Sequence, residues 1–356
     1  MSFKEKMLSK SNSYAYYKHK NESLNKEINS LKSENEKLKN EIENLRNERN
    51  ISLKDEYFKK YGLSGAFSNW DYVDFYLDDE FETNFHEITK NLDNESKKLY
   101  KWIFLRTLFV NLVTKDTVYL DYELKNQKKF TDFKITNAKK NEIAGYKFTG
   151  DYNLHAFMDL GLTDEDKVFL KDKDIIDAGA FTGDTSIPLS QITNSNVYAF
   201  EPFEESYDLL TRNIEDNGIE NIVPIKKSLG NINGERELFL SGSNVQGITS
   251  DPNIRNFDKV LKVEEITLDT FVKENDMDIG LITIDVEGAE MDLLNGALNT
   301  IKVQKPILHI SIYHKASDFF GIIPWIANLN LGYEFKVVKE QPWPFLADTV
   351  IQCRVK

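Results

Sequence analysis

Carboxylates that close short apolar runs recur through the second half of this chain, and glycines accompany the first of them. Ile175-Ile176-Asp177-Ala178-Gly179-Ala180-Phe181-Thr182-Gly183-Asp184 reads as a buried strand, an acidic strand end and a glycine-bearing turn into a helix. Val197-Tyr198-Ala199-Phe200-Glu201-Pro202 is a second apolar strand that ends in an acid. The interval between Asp177 and Glu201 is close to the roughly 20 residues at which nucleotide-binding α/β folds place the carboxylate that grips a ribose diol. This pattern predicts the ligand end of a Rossmann-like sheet.

The glycine spacing selects among ligands. Dinucleotide sites use G-x-G-x-x-G so that bare backbone and a helix N-terminus meet a pyrophosphate. Here the spacing is G-x-x-x-G, and Phe181 stands where the second dinucleotide glycine falls. Asp177 and Asp184 would repel a pyrophosphate, whereas they suit the amino group and sulfonium of S-adenosylmethionine. That cofactor is therefore expected in preference to a nicotinamide dinucleotide.

Ligands in such a sheet lie beyond the carboxyl ends of the strands, which draws in Ser228, the Asp285–Glu290 segment and Tyr313–Lys315. Ile284-Asp285-Val286-Glu287-Gly288-Ala289-Glu290 runs from a hydrophobic strand straight into carboxylates, a glycine and a helix. Glu290 also has a purely structural reading, since an acid in a first helical turn complements the helix dipole. His314 and Asp285 are the candidate general bases, His314 because imidazole ordinarily titrates near neutrality. The mid-strand His309 reads as a core histidine. Asp285 and Glu287 could offer oxygen ligands to Mg²⁺.

Elements must position these groups. After Gly150 the chain alternates regularly between strand and helix. Strands are predicted over 175–177, 197–200, 222–226, 281–285 and 307–313, and helices over 184–191, 204–217, 289–298 and 322–328. Gly218 ends the second of these helices as a C-cap. Two β-rich runs, 236–240 and 261–264, flank a Ser241–Asn244 loop, and the strands at 333–338 and 349–353 read as a closing antiparallel pair. Residues 51–150 form a mainly helical region with a short sheet. Leu99, Trp102, Ile103, Leu105, Phe109 and Leu112 recur there at helical spacing behind an Asp93 or Asn94 N-cap. The acidic-aromatic run 71–82 reads as a solvated helix face packed by Tyr72, Phe75 and Tyr76; an acidic substrate lip is the alternative.

Residues 22–49 carry a heptad. Leu24, Leu31, Leu38 and Leu45 occupy one seam position, and Ile28, Asn35 and Ile42 the other. Glu27, Glu34 and Glu41 precede Lys32, Lys39 and Arg46 at the spacing of interchain pairs, which predicts a parallel homodimeric coiled coil over residues 1–50 with Asn35 fixing register; a trimer or a hetero-partner is the alternative. A net charge of −13 argues against a nucleic-acid groove. Cys353 is the single cysteine, so no intramolecular disulfide can form and a reducing compartment is expected. Met1–Lys20 lacks the apolar core of a signal peptide, and the run Leu99–Val113 is too short and too charged to span a bilayer. The expected location is cytoplasmic.

Taken together, Asp177-x-Gly179-Ala180-x-x-Gly183, Tyr198-Ala199-Phe200-Glu201-Pro202, Thr267-Leu268-Asp269-Thr270-Phe271 and Ile284-Asp285-Val286-Glu287-Gly288-Ala289-Glu290 resemble the FkbM family. Ile312-Tyr313-His314-Lys315 is similar to one subgroup of it. The likeness covers residues 151–356 and implies an α/β class I methyltransferase with helices on both faces of a Rossmann-like sheet, often O-methylating sugars or other hydroxyls. Carried over by position, Asp177, Gly179 and Gly183 line the methionine half of S-adenosylmethionine and Glu201 holds the ribose. Pro202 and Phe203 border the adenine, and Ser228 lies near its rim. Ala180, Asp184 and Asp285 complete the expected cofactor set, and Asp285, Glu287 and His314 the catalytic one. The resemblance does not call for a metal, and none is expected. Two positions depart: Phe181 replaces a common Asn, and Thr283 a common Lys. A small-molecule or glycan acceptor is implied. The rival readings are a coiled-coil scaffold with a non-catalytic domain and a NAD-dependent oxidoreductase.

Overall fold

Helices are set by local signals in the first part of the chain. The computed structural model describes residues 80–108, 121–158, 160–240, 259–339 and 346–355, with Lys37, Tyr72, Phe75, Tyr76, Asp78, Ile248, Thr249 and Phe257 besides. It separates Met1–Gly65 from Ala66–Lys356, and the heptads, Lys37 apart, lie outside the described residues. Helices α1 (Phe81–Lys90), α2 (Asn94–Leu108) and α3 (Asp121–Asn137) precede a small antiparallel sheet of β1 (Ala138–Lys139), β2 (Glu142–Ile143) and β3 (Tyr146–Lys147). Asp93 is the cap of α2: its carboxylate accepts from the backbone N–H of Glu95 and Ser96, both at 2.8 Å. The buried Arg106 guanidinium donates both arms to Glu123, tying α2 to α3. Tyr100 stacks on Phe319 at 4.2 Å and its hydroxyl donates to the Phe319 carbonyl, so these helices share the core of the later α/β region.

After α4 (Leu154–Met158) and α5 (Asp164–Leu170) comes the alternation: β4 (Asp174–Ala178), α6 (Ser186–Leu189), β5 (Val197–Phe200), α7 (Glu204–Asp216) and β6 (Ile222–Ile225). A side sheet holds β7 (Ser228–Leu229), β8 (Gly234–Leu240), β9 (Ile248–Thr249) and β10 (Lys259–Ile266). Then follow α8 (Leu268–Asn275), β11 (Ile279–Ile284), α9 (Glu290–Gly296), α10 (Leu298–Gln304), β12 (Ile307–Ser311), α11 (Ala316–Asn328), β13 (Tyr333–Lys339) and β14 (Thr349–Val355). The main sheet runs β13-β14-β12-β11-β4-β5-β6, parallel except for β14, which is antiparallel to both neighbours. From β4 the order proceeds outward in both directions, which leaves a crevice beyond the strand ends of β4 and β11.

Alternation divides the core. Ile176, Ala178, Ile282, Ile284, Leu308 and Ile310 face one way and pack with Leu293, Ile301, Phe319 and Ile323. Ile175, Leu281, Ile307, Val197 and Ala199 face the other way and pack with Leu170, Ile187 and Leu210. Each of the leucines, isoleucines, valine and phenylalanine among these contributes about 1.5–3 kcal/mol on burial.

Three predicted helices have different bounds. The helix at 184–191 shrinks to α6, because Ser190 Oγ donates to the Ile187 carbonyl that a further turn would use. The helix at 289–298 becomes α9 and α10, broken where Ala297 takes φ −108° and ψ 4°. The helix at 322–328 starts earlier, at Ala316, and carries Pro324 inside it. In the 71–82 run, Tyr72 is buried against Phe319 and Phe320, while Phe75 stacks on Phe320 at 4.4 Å.

Candidate functional site

The turn after β4 is held by backbone. Gly179 and Ala180 both donate their N–H to the Phe200 carbonyl, at 3.0 and 2.9 Å, and Gly183 N–H donates to the Ala180 carbonyl. Gly179 takes φ +83°, and a Cβ there would lie 1.9 Å from the Asp285 carbonyl oxygen. This glycine is what lets the turn after β4 touch the turn after β11.

Three acids lie around that turn. Asp177 accepts from the hydroxyls of Ser186 and Thr283, at 2.5 and 2.7 Å. Glu201 accepts from the backbone N–H of Phe181 and of Phe203, both at 2.9 Å. Asp184 accepts from the backbone N–H of Asn153 and Thr185. Among the described residues none of the three forms an ion pair. Burial therefore pushes the Asp177 carboxyl upward, that of Asp184 to about 7 and that of Glu201 to about 8; the backbone donors offset this for the last two, and the Asp177 charge adds to it. Such a group of uncompensated carboxylates favours a cationic ligand.

Thr283, which occupies the position where the resembling family commonly has Lys, supplies one of the Asp177 bonds. Phe181 stands in the left-handed region at φ +48°, where Asn is far more at ease than an aromatic residue. This gives a physical reason for the common Asn. Phe181→Asn is expected to stabilise the fold by about 1 kcal/mol through relief of that strain, within the range for such residues. Chemical denaturation checks it; a lower unfolding midpoint would count against strain at this position.

The second cluster follows β11 and β12. His314 Nδ1 lies 2.8 Å from Glu290 Oε1, and its Nε2 lies 3.4 Å from Asp285 Oδ1 and 3.6 Å from Glu287 Oε2. Burial alone would lower the imidazole pKa, but the Glu290 charge and hydrogen bond, then Glu287 and Asp285, raise it to about 10. His314 is therefore an imidazolium at neutral pH, outside the range in which the sequence placed it. Asp285 is the group brought near neutrality. Half of its side chain is open where it lines the cavity, yet withdrawal from bulk water, moderated by His314, moves it to about 7. Glu287 takes φ +53° between them.

Glu290, completely buried at the start of α9, does more than complement a helix dipole. Its Oε1 also faces the N–H groups of Val286 and Gly288. Asp318, absent from the sequence reading, is pushed to about 8 by burial and by the Glu290 charge, so it retains a proton to share with Glu290. Its position four residues after His314, in the first turn of α11, was the available signal. Asp285, Glu290 and His314 approach closely enough for ion ligation, but Nδ1 of His314 is already engaged by Glu290.

One cavity of about 1600 Å³ joins both clusters. Asp177, Gly179, Asp184, Glu201, Pro202, Phe203, Ser228, Asp285, Glu287 and His314 all line it. Ala180 and Gly183 do not; they shape the turn from behind. His309, expected as a core histidine, is buried but lines the cavity as well.

The comparisons agree with this architecture. Residues 177–335 match the model of the Methyltransferase FkbM domain, and no curated protein is a significant match. The chain is similar in structure to Methyltransferase FkbM from Methylobacillus flagellatus KT, with 17% identity and a TM-score of 0.51. That match covers 80% of this chain and 62% of the other, so the chain spans less than two thirds of that protein. An rRNA methylase from Streptococcus thermophilus gives 16% identity and TM-score 0.36 over 54% of this chain and 93% of that one. A Streptococcus mutans structure described as a methyltransferase in complex with SAH gives 14% and 0.35 over 54% and 96%. The strand order and the strand-end cavity are those of a Rossmann-like class I sheet, and within it residues 177–335 match the FkbM methyltransferase domain.

Proposed function

We propose that the protein transfers the methyl group of S-adenosylmethionine to a hydroxyl of a sugar or glycan precursor. The observation that carries this reading is the shared cavity: an uncompensated acidic turn (Asp177, Asp184, Glu201) on one side and an Asp285–His314–Glu287 cluster on the other. The first suits a cationic cofactor and the second an acceptor. Asp177, Gly179 and Asp184 would face the methionine half, Glu201 the ribose, and Pro202, Phe203 and Ser228 the adenine side; Ala180 and Gly183 support the turn.

Methyl transfer is an in-line displacement. The acceptor oxygen forms a bond to the methyl carbon as the carbon–sulfur bond breaks, and the sulfonium leaves as a neutral thioether. The hydroxyl proton passes to a base, for which Asp285 is the group in the right range. His314 is better suited to anchor Asp285 and Glu287 than to accept a proton. Holding the acceptor oxygen about 3–3.5 Å from the methyl carbon, in line with the carbon–sulfur bond, would supply much of the rate.

Calorimetric titration with S-adenosylhomocysteine, with NAD as control, tests the reading. Micromolar binding of the former and no response to NAD is the expected result; binding to NAD alone would replace the proposal with an oxidoreductase, and binding to neither with a non-catalytic scaffold. The heptads over 22–49 support self-association as a parallel homodimer. A chain lacking residues 1–50 is expected to sediment as a monomer that keeps its S-adenosylhomocysteine affinity, and a persistent dimer would move the interface elsewhere.

A further inference from the structure

The cavity is larger than a single cofactor requires. Drug-sized ligands occupy about 300–1,000 Å³, against about 1600 Å³ here, and its lining continues from the strand ends onto one face of the sheet. Strand register explains the continuation. Thr283 pairs with Asp177 and with His309, His309 with Gln352, and Gln352 with Lys336. Register partners share a face, so these five polar residues form one row across β4, β11, β12, β14 and β13, about 19 Å long at the usual strand spacing. Ser311, Val350 and Val338 form the next row towards the strand ends, and all of these residues line the cavity. His155 of α4, stacked on Phe130 at 4.4 Å, lines it too.

Polar rows in a sheet interior need partners, and here several are missing. His155 Nε2, His309 Nε2 and Gln352 Oε1 are buried without a hydrogen-bond partner, on residues exposed by 7%, 8% and 4%. An unsatisfied buried polar group costs about 1–3 kcal/mol, and three on residues that line one cavity point to a ligand that satisfies them. Burial lowers both imidazoles to about 4, so they are neutral. Each offers a donor and an acceptor, and so does the Gln352 amide. The middle of the row, Thr283, His309 and Gln352, is neutral, and groups that both donate and accept match hydroxyls. The row ends at Asp177 on the cofactor side and at the exposed Lys336 on the other.

We propose that this row is the acceptor subsite for an extended, neutral, polyhydroxylated chain: an oligosaccharide whose reacting hydroxyl sits at Asp285 while the following units lie over Thr283, His309 and Gln352 towards Lys336. The inference rests on the methyltransferase reading above. It also makes His155, His309 and Gln352 specificity-determining residues, because a site that hydrogen-bonds hydroxyls discriminates strongly against ligands that lack them.

Saturation-transfer NMR on the full chain loaded with S-adenosylhomocysteine tests it, with maltotetraose, cellotetraose and chitotetraose as probes beside their monosaccharides and a tetrapeptide. Expected are tetrasaccharide signals stronger than those of the monosaccharides, and affinity at least tenfold weaker in Gln352→Leu. Lys336→Ala, an exposed change that leaves folding alone, should weaken the tetrasaccharide but not the monosaccharide. S-adenosylhomocysteine affinity should stay the same in both variants. Cofactor binding with no tetrasaccharide signal, a preference for the peptide, or affinities unmoved by both substitutions would overturn the subsite. Loss of cofactor binding in the unaltered protein would instead overturn the methyltransferase reading.

Discussion

Gly179→Ala is expected to abolish high-affinity S-adenosylhomocysteine binding and to destabilise the fold by several kcal/mol. Two effects add. The position holds φ +83°, which costs a residue with a Cβ about 1–3 kcal/mol. The new methyl would also stand 1.9 Å from the Asp285 carbonyl oxygen, a contact with backbone and not with a movable side chain. Retreat is blocked on both sides: Asp285 N–H donates to the Ala178 carbonyl at 3.0 Å, and Gly179 N–H donates to Phe200. Overpacking of this kind costs about 1–3 kcal/mol, so the sum consumes much of a stability of about 5–15 kcal/mol. Thermal denaturation and calorimetry would read both effects. An alanine variant with unaltered melting temperature and affinity would mean that the turns after β4 and β11 do not touch. The same turn contains the opposite case in Phe181, whose left-handed backbone can be relieved by substitution.

The strand ends were legible because a period of buried residues stopped at an acid. Val197–Phe200 emerges with the bounds its sequence suggests, and Asp177, Glu201, Asp285 and His314 fall at one end of the sheet because β4, β5, β11 and β12 run parallel. What the sequence could not carry is register. Nothing local to Thr283, His309, Gln352 or Lys336 says that they stand abreast, since each belongs to a different strand and the pairing is decided by long-range packing. His309 consequently reads as a core residue until its neighbours across the sheet are known. Protonation states were hidden for the same reason. His314 looks like a base of ordinary range, and only the convergence of Glu290, Glu287 and Asp285 around it makes it a cation. Asp318 enters through α11, which begins six residues before the predicted helix. The heptads, by contrast, are clearest in sequence and lie outside the described residues.

Glu201→Ala is expected to weaken S-adenosylmethionine binding by at least about a hundredfold, the equivalent of about 2.7 kcal/mol. The sequence alone suggests a change that removes a ribose partner and spares the fold. The structure revises the second half of that expectation. Glu201 also accepts the N–H groups of Phe181 and Phe203, at 2.9 Å each, and alanine would leave two donors near the cofactor turn unsatisfied at about 1–3 kcal/mol apiece. Loss of the ribose contact and loosening of the turn therefore act together. The pH dependence separates them. Folded-state values of about 7 for Asp184 and about 8 for Glu201 lie above those of an unfolded chain. Their contribution to the stability of the ligand-free protein is full below about pH 4 and lost as pH rises through these values. A cationic ligand restores what the charges lose, so S-adenosylmethionine should bind more tightly as pH rises from about 6 to about 9. The rise should be steeper than for S-adenosylhomocysteine, which lacks the sulfonium charge. In Glu201→Ala the part of that slope centred near pH 8 should vanish, while the part near pH 7 from Asp184 remains. Parallel titrations of both ligands across this range decide the matter: equal slopes would remove the acidic turn from any contact with the sulfonium, and an unchanged Glu201→Ala affinity would remove Glu201 from the cofactor site.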